Sequence, residues 1–326
     1  TAYEIGVRLV GSEMCIRDSK HMDINYFSKT RILDGGMGQE LIKKGLKPRG
    51  TLWSASALIE EKYHQLVTDT HLDFINAGAD VIVTTTFTAR RIRLIENKCE
   101  EHFEHINTKA VELALKARDI SKKNILVAGG LPNQYQTYNE NLGDDLNLIE
   151  KNFYDQAKLL KSNIDFFYLD VMGSGKECEI ALKTIKSFNL PVLIGVHIRK
   201  NGKLPSGENI SDIVKKYKEE NWLGIIAACV HPESYEIITK ELKNLNIPYG
   251  FKLNAFKNIP DDYAAREPSI WGKGGNPTKI LGSREDITES KFYEFVKKFK
   301  EDGATILGGC CEIRPSHISK IAKLKN

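Results

Sequence analysis

The chain has 326 residues and a mass of 36.8 kDa, which is enough for two domains or for one large α/β barrel. Its 41% hydrophobic and 28% charged residues are those of an ordinary soluble globular protein. The 47 basic and 43 acidic residues nearly cancel, so the composition gives no argument for a nucleic-acid or membrane partner. No apolar run is long enough to predict a transmembrane helix.

The first 21 residues fit poorly with the rest of the chain. Charged residues such as Arg8 and Glu13 interrupt the apolar core that a signal peptide needs, so the cytoplasm is the expected location. Met22 is a sensible start just before the first predicted strand. We therefore expect residues 1–21 to be a non-native or disordered extension and residues 22–326 to form one domain.

Short apolar runs then alternate with longer amphipathic stretches. Near-continuous runs of Val, Ile, Leu and Phe are typical of parallel strands that are buried on both faces. Eight such runs are predicted: Arg31–Gly36, Val81–Phe87, Asn124–Leu131, Phe166–Met172, Pro191–Ile198, Gly224–Val230, Pro248–Ala255 and Ala304–Cys310. The amphipathic stretches predict helices, among them Leu58–Asn76, Ile106–Ser121, Leu148–Asn163, Glu177–Phe188, Pro232–Asn244 and Ile287–Glu301.

Eight βα units over this length predict a single-domain α/β fold, the (β/α)8 TIM barrel. A doubly wound open sheet is the alternative, but it would carry a glycine-rich phosphate-binding turn after an early strand. The glycines that follow Asp34 have the wrong spacing for that turn. The seventh loop, residues 256–285, is long and contains Trp271 and several glycines, which predicts a lid or a binding loop.

In such a barrel the functional side chains lie at the carboxyl ends of the strands. Cys229 ends the sixth predicted strand, and Cys310 and Cys311 end the eighth. Alternate strand ends are about 10 Å apart, so thiols that reach in from both sides could meet one metal ion. Any one of these cysteines could instead be an ordinary buried residue. Together they predict a zinc site whose fourth position is open, which suits chemistry rather than structure.

Two histidines and two further cysteines could also bind metal by their residue type, but we do not predict them as ligands. His231 stands directly before Pro232, a favoured first residue of a helix, so we expect it to begin that helix rather than to bind metal. His197 ends the fifth predicted strand, and the barrel rule leaves open whether it lines the pocket. Cys99 and Cys178 are expected to be structural or incidental.

An open site of this kind has a definite chemistry. Binding to the metal favours the thiolate form of a substrate thiol at neutral pH. The thiolate is a nucleophile suited to a methyl group that is carried by a positively charged sulfur or nitrogen. The role of the metal is then to generate and orient the nucleophile.

With these motifs the chain resembles the zinc-dependent homocysteine S-methyltransferases. That family includes betaine–homocysteine and S-methylmethionine–homocysteine methyltransferases and the homocysteine module of methionine synthase. The resemblance extends from about Ile32 to Ala322. The stretches that carry it are Leu33-Asp-Gly-Gly-Met-Gly-Gln-Glu-Leu, Leu52-Trp-Ser-Ala, His71-Leu-Asp-Phe-Ile-Asn-Ala-Gly-Ala-Asp, Thr84-Thr-Thr-Phe and Gly308-Gly-Cys-Cys.

The resemblance implies a set of ligands and substrate contacts. Cys229, Cys310 and Cys311 are implied as the ligands of Zn²⁺, and Asp34 and Asp170 as carboxylates that hold the amino-acid end of homocysteine. Phe87 is implied near the methyl donor, where an aromatic ring attracts a sulfonium or quaternary ammonium ion by ~0.5–2 kcal/mol. Packing at a strand end would explain Phe87 equally well. The expected substrate-binding set is completed by Gly35, Thr84 and Asn254.

The implied reaction is a direct methyl transfer from a small onium donor to homocysteine, which gives methionine. No catalytic side chain is expected beyond the zinc-activated substrate thiol. Because the predicted barrel takes up the chain, we expect no folate-binding or cobalamin-binding segment. The sequence leaves open whether the protein forms a homo-oligomer.

Three departures from the family pattern bear on the acceptor. Ala228 stands where Asn usually precedes the first ligand cysteine, Asp170 is one methylene shorter than the usual Glu, and Gly129-Gly-Leu-Pro-Asn replaces a Gly-Ser-x-Gly-Pro turn. A related methyltransferase with another thiol or selenol acceptor therefore remains an alternative. A non-catalytic zinc-binding barrel is the second alternative.

Overall fold

The structure, a computed structural model, describes residues 22–261 and 275–325. The predicted extension, residues 1–21, and the middle of the predicted seventh loop, residues 262–274, lie outside the described residues. Among the helices of the two described ranges, none is long and apolar enough to cross a membrane.

Eight parallel strands form one sheet that curves into a barrel. In chain order the strands are β1 Arg31–Ile32, β2 Val81–Val83, β3 Leu126–Pro132, β4 Phe166–Met172, β5 Val192–Val196, β6 Trp222–Val230, β7 Tyr249–Leu253 and β8 Ile306–Gly309. Their spatial order is β1-β8-β7-β6-β5-β4-β3-β2. A parallel bridge between Leu33 and Val81 joins β1 to β2. The predicted (β/α)8 TIM barrel is therefore confirmed.

Helices follow the strands and cover the outside of the sheet. In the described part of the chain they are α1 Met37–Lys43, α2 Ser56–Ile59, α3 His64–Asn76, α4 Arg91–Glu96, α5 Phe103–Ser121, α6 Leu146–Leu160, α7 Gly175–Ile185, α8 Ile210–Tyr217, α9 Pro232–Leu242, α10 Thr278–Leu281, α11 Glu289–Glu301 and α12 Pro315–Ile321. Five of the six predicted helices are found with ends shifted by a few residues.

The continuous helix predicted over Leu58–Asn76 is wrong. The chain leaves the helical conformation at Glu60, which has φ −98° and ψ 111°, and α3 begins only at His64. The ring of His64 lies 3.0 Å from the carbonyl oxygen of Leu58, which the break deprives of a helical partner. Neither glycine nor proline marks the break, so the helical periodicity of the sequence continues through it.

Side chains along each strand alternate between two apolar layers. In β4, Phe166 and Tyr168 pack in the barrel interior, whereas Phe167 and Leu169 pack against the helices. In β7, Phe251 and Leu253 also belong to the helix-facing layer, so Lys252 between them points inward. The apolar runs predicted from the sequence conceal this period of two because both layers are buried.

Two bulges interrupt the alternation near the carboxyl ends of β4 and β6. The register shifts between Leu169 and Met172, and again between Ala228 and Val230. Within these shifts Val171 and Cys229 have positive φ values of 64° and 53°. A bulge inserts one extra residue and redirects its side chain. As a result Val171 and Cys229 line the same cleft as inward-facing Asp170.

Candidate active site

The carboxyl ends of the strands surround one cleft, where the barrel rule places function. The cleft encloses about 850 Å³, a volume that includes the solvent at its mouth. Most of the residues singled out in the sequence lie together on its wall. They are Asp34, Gly35, Thr84, Phe87, Asp170, Cys229, Cys310 and Cys311.

Three thiols meet at one end of the cleft, which we call the thiol end (Cys229, Cys310 and Cys311). The Sγ atom of Cys229 lies 3.7 Å from that of Cys311, and the Sγ atoms of Cys310 and Cys311 are 3.9 Å apart. All three sulfurs lie within 4.8 Å of one another. Sulfurs held tetrahedrally by one zinc ion at about 2.3 Å are separated by about 3.8 Å. The spacing therefore fits three ligands of a single metal ion.

Polar neighbours hold Cys229 in this position. Asn254 is fully buried and donates from Nδ2 to the carbonyl oxygen of Cys229 at 2.6 Å. The hydroxyl of Tyr138 lies 3.1 Å from the Cys229 sulfur. Trp53 and Tyr138, like Val171 and Cys229, line the cleft with positive φ values, 46° and 63° for these two. Such strained backbone conformations cluster at functional sites because the surrounding packing maintains them.

At the thiol end, the pKa values of Cys229 and Tyr138 are shifted in opposite directions. Burial opposes ionisation of Cys229, but hydrogen bonds from Cys310, Cys311 and Tyr138 outweigh it and hold the pKa of the Cys229 thiol well below its usual value. Burial raises the pKa of Tyr138 well above its usual value. Tyr138 is therefore the donor and the Cys229 sulfur the acceptor in their hydrogen bond.

Charged side chains line another part of the cleft, which we call the acid end (Asp34, Asp170 and Lys252). Lys252 Nζ lies 2.6 Å from Asp34 Oδ1, with only 7% and 3% of the two side chains exposed. The other carboxylate oxygen of Asp34 accepts from the backbone amide of Val83 at 2.8 Å. Burial raises the pKa of Asp170 to about 6, although Lys252 opposes the shift.

Aromatic rings line a further part of the wall. Trp53 and Phe87 meet edge to face, with centroids 6.4 Å apart. The guanidinium carbon of Arg90 lies 5.3 Å from the centroid of the Phe87 ring. Thr84 is buried beside them and accepts from the amide of Gly130 at 3.0 Å. A side chain at Gly35 would place its Cβ only 2.4 Å from the carbonyl oxygen of Ile313, so close packing explains this glycine.

Comparison with protein families then decides the class. The family described as Homocysteine S-methyltransferase matches residues 31–324. The chain belongs to this family. The predicted family and the methyltransferase class are thereby confirmed.

Two sequence relatives share about a quarter of their residues with this chain. A Saccharomyces cerevisiae protein, Homocysteine S-methyltransferase 1, is 26% identical over 327 residues that cover 93% of this chain and 96% of the relative. The Selenocysteine methyltransferase of Astragalus bisulcatus is 23% identical, over an alignment that covers 91% of this chain and 92% of the relative. The metallated form of the Escherichia coli homocysteine methyltransferase MmuM has the same fold, with a TM-score of 0.72, 19% identity and coverage of 91% and 96%.

Several predicted residues of this family member lie away from the cleft wall. Asn254 sits behind Cys229 rather than on the wall. His197 lines a small second cavity beside Tyr138, with ring centroids 4.6 Å apart. His231 precedes Pro232 at the first turn of α9, as predicted. Cys99 and Cys178 are buried among apolar side chains of the core.

The predicted seventh loop is described only in part. Pro277 and Leu281 from its second half contribute to the cleft wall. Phe256 forms an isolated antiparallel bridge with Ser283, which ties the two described ends of the loop together. Trp271 lies outside the described residues.

Several side chains of the cleft were not predicted from the sequence, among them Lys252, Trp53 and Tyr138. Lys252 carried a usable signal, since a lysine inside an otherwise apolar strand is costly unless it is paired. Trp53 stood in a matched stretch but received no role. No pattern along the chain connects Tyr138 with Cys229, 91 residues away.

Proposed function

We propose that this chain transfers a methyl group from a small onium donor to the sulfur of homocysteine, giving methionine, with Zn²⁺ held by Cys229, Cys310 and Cys311. The observation that carries the proposal is the convergence of the three sulfurs at distances of 3.7 and 3.9 Å. Family membership supports the reaction class. When bound, zinc would favour the thiolate form of a coordinated acceptor thiol at neutral pH.

The transfer forms one bond and breaks one. The acceptor sulfur forms a bond to the methyl carbon, and the electron pair of the broken carbon–sulfur or carbon–nitrogen bond returns to the onium sulfur or nitrogen, which becomes neutral. No side chain has to remove a proton from carbon. The contribution of the protein is therefore to position the two substrates in line and to balance their charges.

We assign the acid end to the amino-acid part of the acceptor. Asp34 and Asp170 supply negative charge there, of which Lys252 offsets one, and Asp170 is the less buried of the two carboxylates. A carboxylate pairs well with an ammonium group. The thiol end then receives the sulfur of the same molecule.

We assign the aromatic wall to the donor. The rings of Trp53 and Phe87 offer apolar surface that attracts an onium ion. Arg90 beside Phe87 adds a positive charge, which favours donors whose onium centre is accompanied by a carboxylate. S-Methylmethionine, betaine and dimethylsulfoniopropionate all meet that requirement.

The test measures metal content and methyl transfer on one preparation. The wild type is compared with Cys310→Ala, and Cys178→Ala serves as a control that removes a buried thiol elsewhere. We expect about one zinc per chain, held by Cys229, Cys310 and Cys311, and methionine formation in the wild type and the control. The Cys310→Ala variant should lose both. A wild type that holds no zinc would overturn the proposal.

A selenol is the second candidate acceptor. Ala228 and Asp170 depart from the family pattern next to the site, and the Astragalus bisulcatus relative is named a selenocysteine methyltransferase. Selenocysteine beside homocysteine in the assay separates the two acceptors. A non-catalytic zinc-binding barrel would bind zinc and methylate neither.

The five cysteines of the described residues are all free thiols, which suits a reducing compartment, so we propose a cytoplasmic location.

A further inference from the structure

Lys252 is a charged residue at a position that the fold buries. It lies in the middle of β7, where both neighbours along the strand pack against the helices. Its side chain points into the barrel and reaches the cleft wall. Burying a cation is unfavourable unless it is paired and hydrogen-bonded. Lys252 therefore needs a partner inside the cleft.

That partner is Asp34, at 2.6 Å. The second oxygen of Asp34 is occupied by the amide of Val83. Both oxygens of this carboxylate thus have donors from the chain itself. The negative charges of Asp34 and Asp170 outweigh the effect of burial and raise the pKa of Lys252. The lysine therefore stays charged at neutral pH.

Lys252 already supplies at the acid end the kind of positive charge that the ammonium group of an amino acid would bring. Two carboxylates without a cation would leave two uncompensated negative charges, a strong site for an α-ammonium group. With Lys252 present, one ammonium group of the protein is already in contact with Asp34. An incoming ammonium group would meet the positive charge of Lys252 beside Asp34, so Asp34 would attract it less than a carboxylate without a paired lysine would.

We propose that Lys252 takes the place that the α-ammonium group of an acceptor would take against Asp34, so that short mercapto acids without an amino group are bound about as well as homocysteine. The inference rests on the proposed function only in treating the cleft as the site of a thiol acceptor. Lys252 is then a specificity-determining residue, and the substrate class extends to thiols that carry a carboxylate alone.

The test compares homocysteine with 4-mercaptobutyrate, which differs only in lacking the amino group. Binding of each to the zinc-loaded full chain is measured by titration calorimetry. A site built to bind an amino group rejects the analogue that lacks it by about 10⁴-fold or more. We expect the two dissociation constants to agree within about tenfold. A preference for homocysteine of more than about a thousandfold would overturn the inference.

Variants identify the side chain responsible. Lys252→Met exposes the Asp34 carboxylate to the acceptor and should increase the preference for homocysteine at least about tenfold. Combining Lys252→Met with Asp34→Asn removes the carboxylate too and should return the ratio toward that of the wild type. If Lys252→Met weakened both acids equally, Lys252 would hold their common carboxylate, and the inference would be wrong. Should the single variant not fold, the wild-type ratio decides alone.

Failure of the inference is distinguishable from failure of the proposed function. Calorimetry reports on acceptor binding and needs no methyl donor. Similar binding of both thiols without any methylated product would contradict the proposed function and leave the inference standing. Methionine formation together with strong rejection of 4-mercaptobutyrate would support the proposed function and contradict the inference.

Discussion

The thiol end and the acid end of the cleft differ in how their negative charge can be balanced. At the thiol end, three sulfurs converge with a spacing that fits an added metal ion. At the acid end the cation is part of the chain, because Lys252 is paired with Asp34. An ion taken from solution can be lost and regained, whereas a buried lysine is a permanent part of the fold. Under the proposed function, the chemistry then depends on an added cation and the acceptor specificity on an internal one.

The largest effect is expected when the internal cation of the acid end, Lys252, is removed. Lys252→Met leaves Asp34 buried without its partner, so we expect the free energy of unfolding to fall by about 3–5 kcal/mol. Urea denaturation of the wild type and the variant measures the loss. The matched control is Lys252→Met combined with Asp34→Asn, which removes both charges and should lose distinctly less. Equal stability of the single variant and the wild type would show that the pair is not buried in solution.

A second test uses His71, which is fully buried behind the acid end with its Nε2 atom 3.2 Å from Thr85 Oγ1. Burial lowers the pKa of His71 to about 4, although Asp34 opposes the shift. Because the folded state binds this proton more weakly than the unfolded state does, stability is full above pH 6.5 and falls as the pH drops toward 4. We expect His71 to contribute about 2 kcal/mol to the loss between pH 7 and pH 5.

Urea denaturation at the two pH values, with His71→Asn beside the wild type, isolates this contribution. The variant should lose less stability than the wild type over the same interval. His105→Asn, at an exposed position, is the control and should follow the wild type. Identical pH dependence in the wild type and His71→Asn would contradict the assignment.

The smallest expected effect concerns the thiol end. Tyr138→Phe removes the hydroxyl that donates to the Cys229 sulfur but keeps the ring. Groups that hydrogen-bond to metal ligands typically affect metal affinity by 10–100-fold, and we expect about tenfold weaker zinc binding. Competition with a chelator measures it. Tyr154→Phe, on the exposed side of α6, is the control and should leave zinc affinity unchanged.

The barrel was predictable because its signals are local. Near-continuous apolar runs of strand length are typical of buried parallel strands, and β4 was predicted at Phe166–Met172, where it lies. β1 and β2 are shorter than predicted, because the chain beyond Ile32 and Val83 continues to the cleft wall instead of pairing regularly. The break at Glu60 was not predictable, since no residue there forbids a helix.

The site, too, has features that the sequence predicts and features that only the folded structure shows. That Cys229, Cys310 and Cys311 would meet follows from motifs along the chain and from the barrel rule, because the carboxyl ends of parallel strands share one face. The bulge that directs Cys229 into the cleft, the Tyr138 hydroxyl on its sulfur and the position of Asn254 behind it became visible only in the folded molecule. So did the pairing of Lys252 with Asp34 across 218 residues of sequence. Periodicity records which face of an element is buried, but a contact between two distant strands depends on how the whole sheet closes.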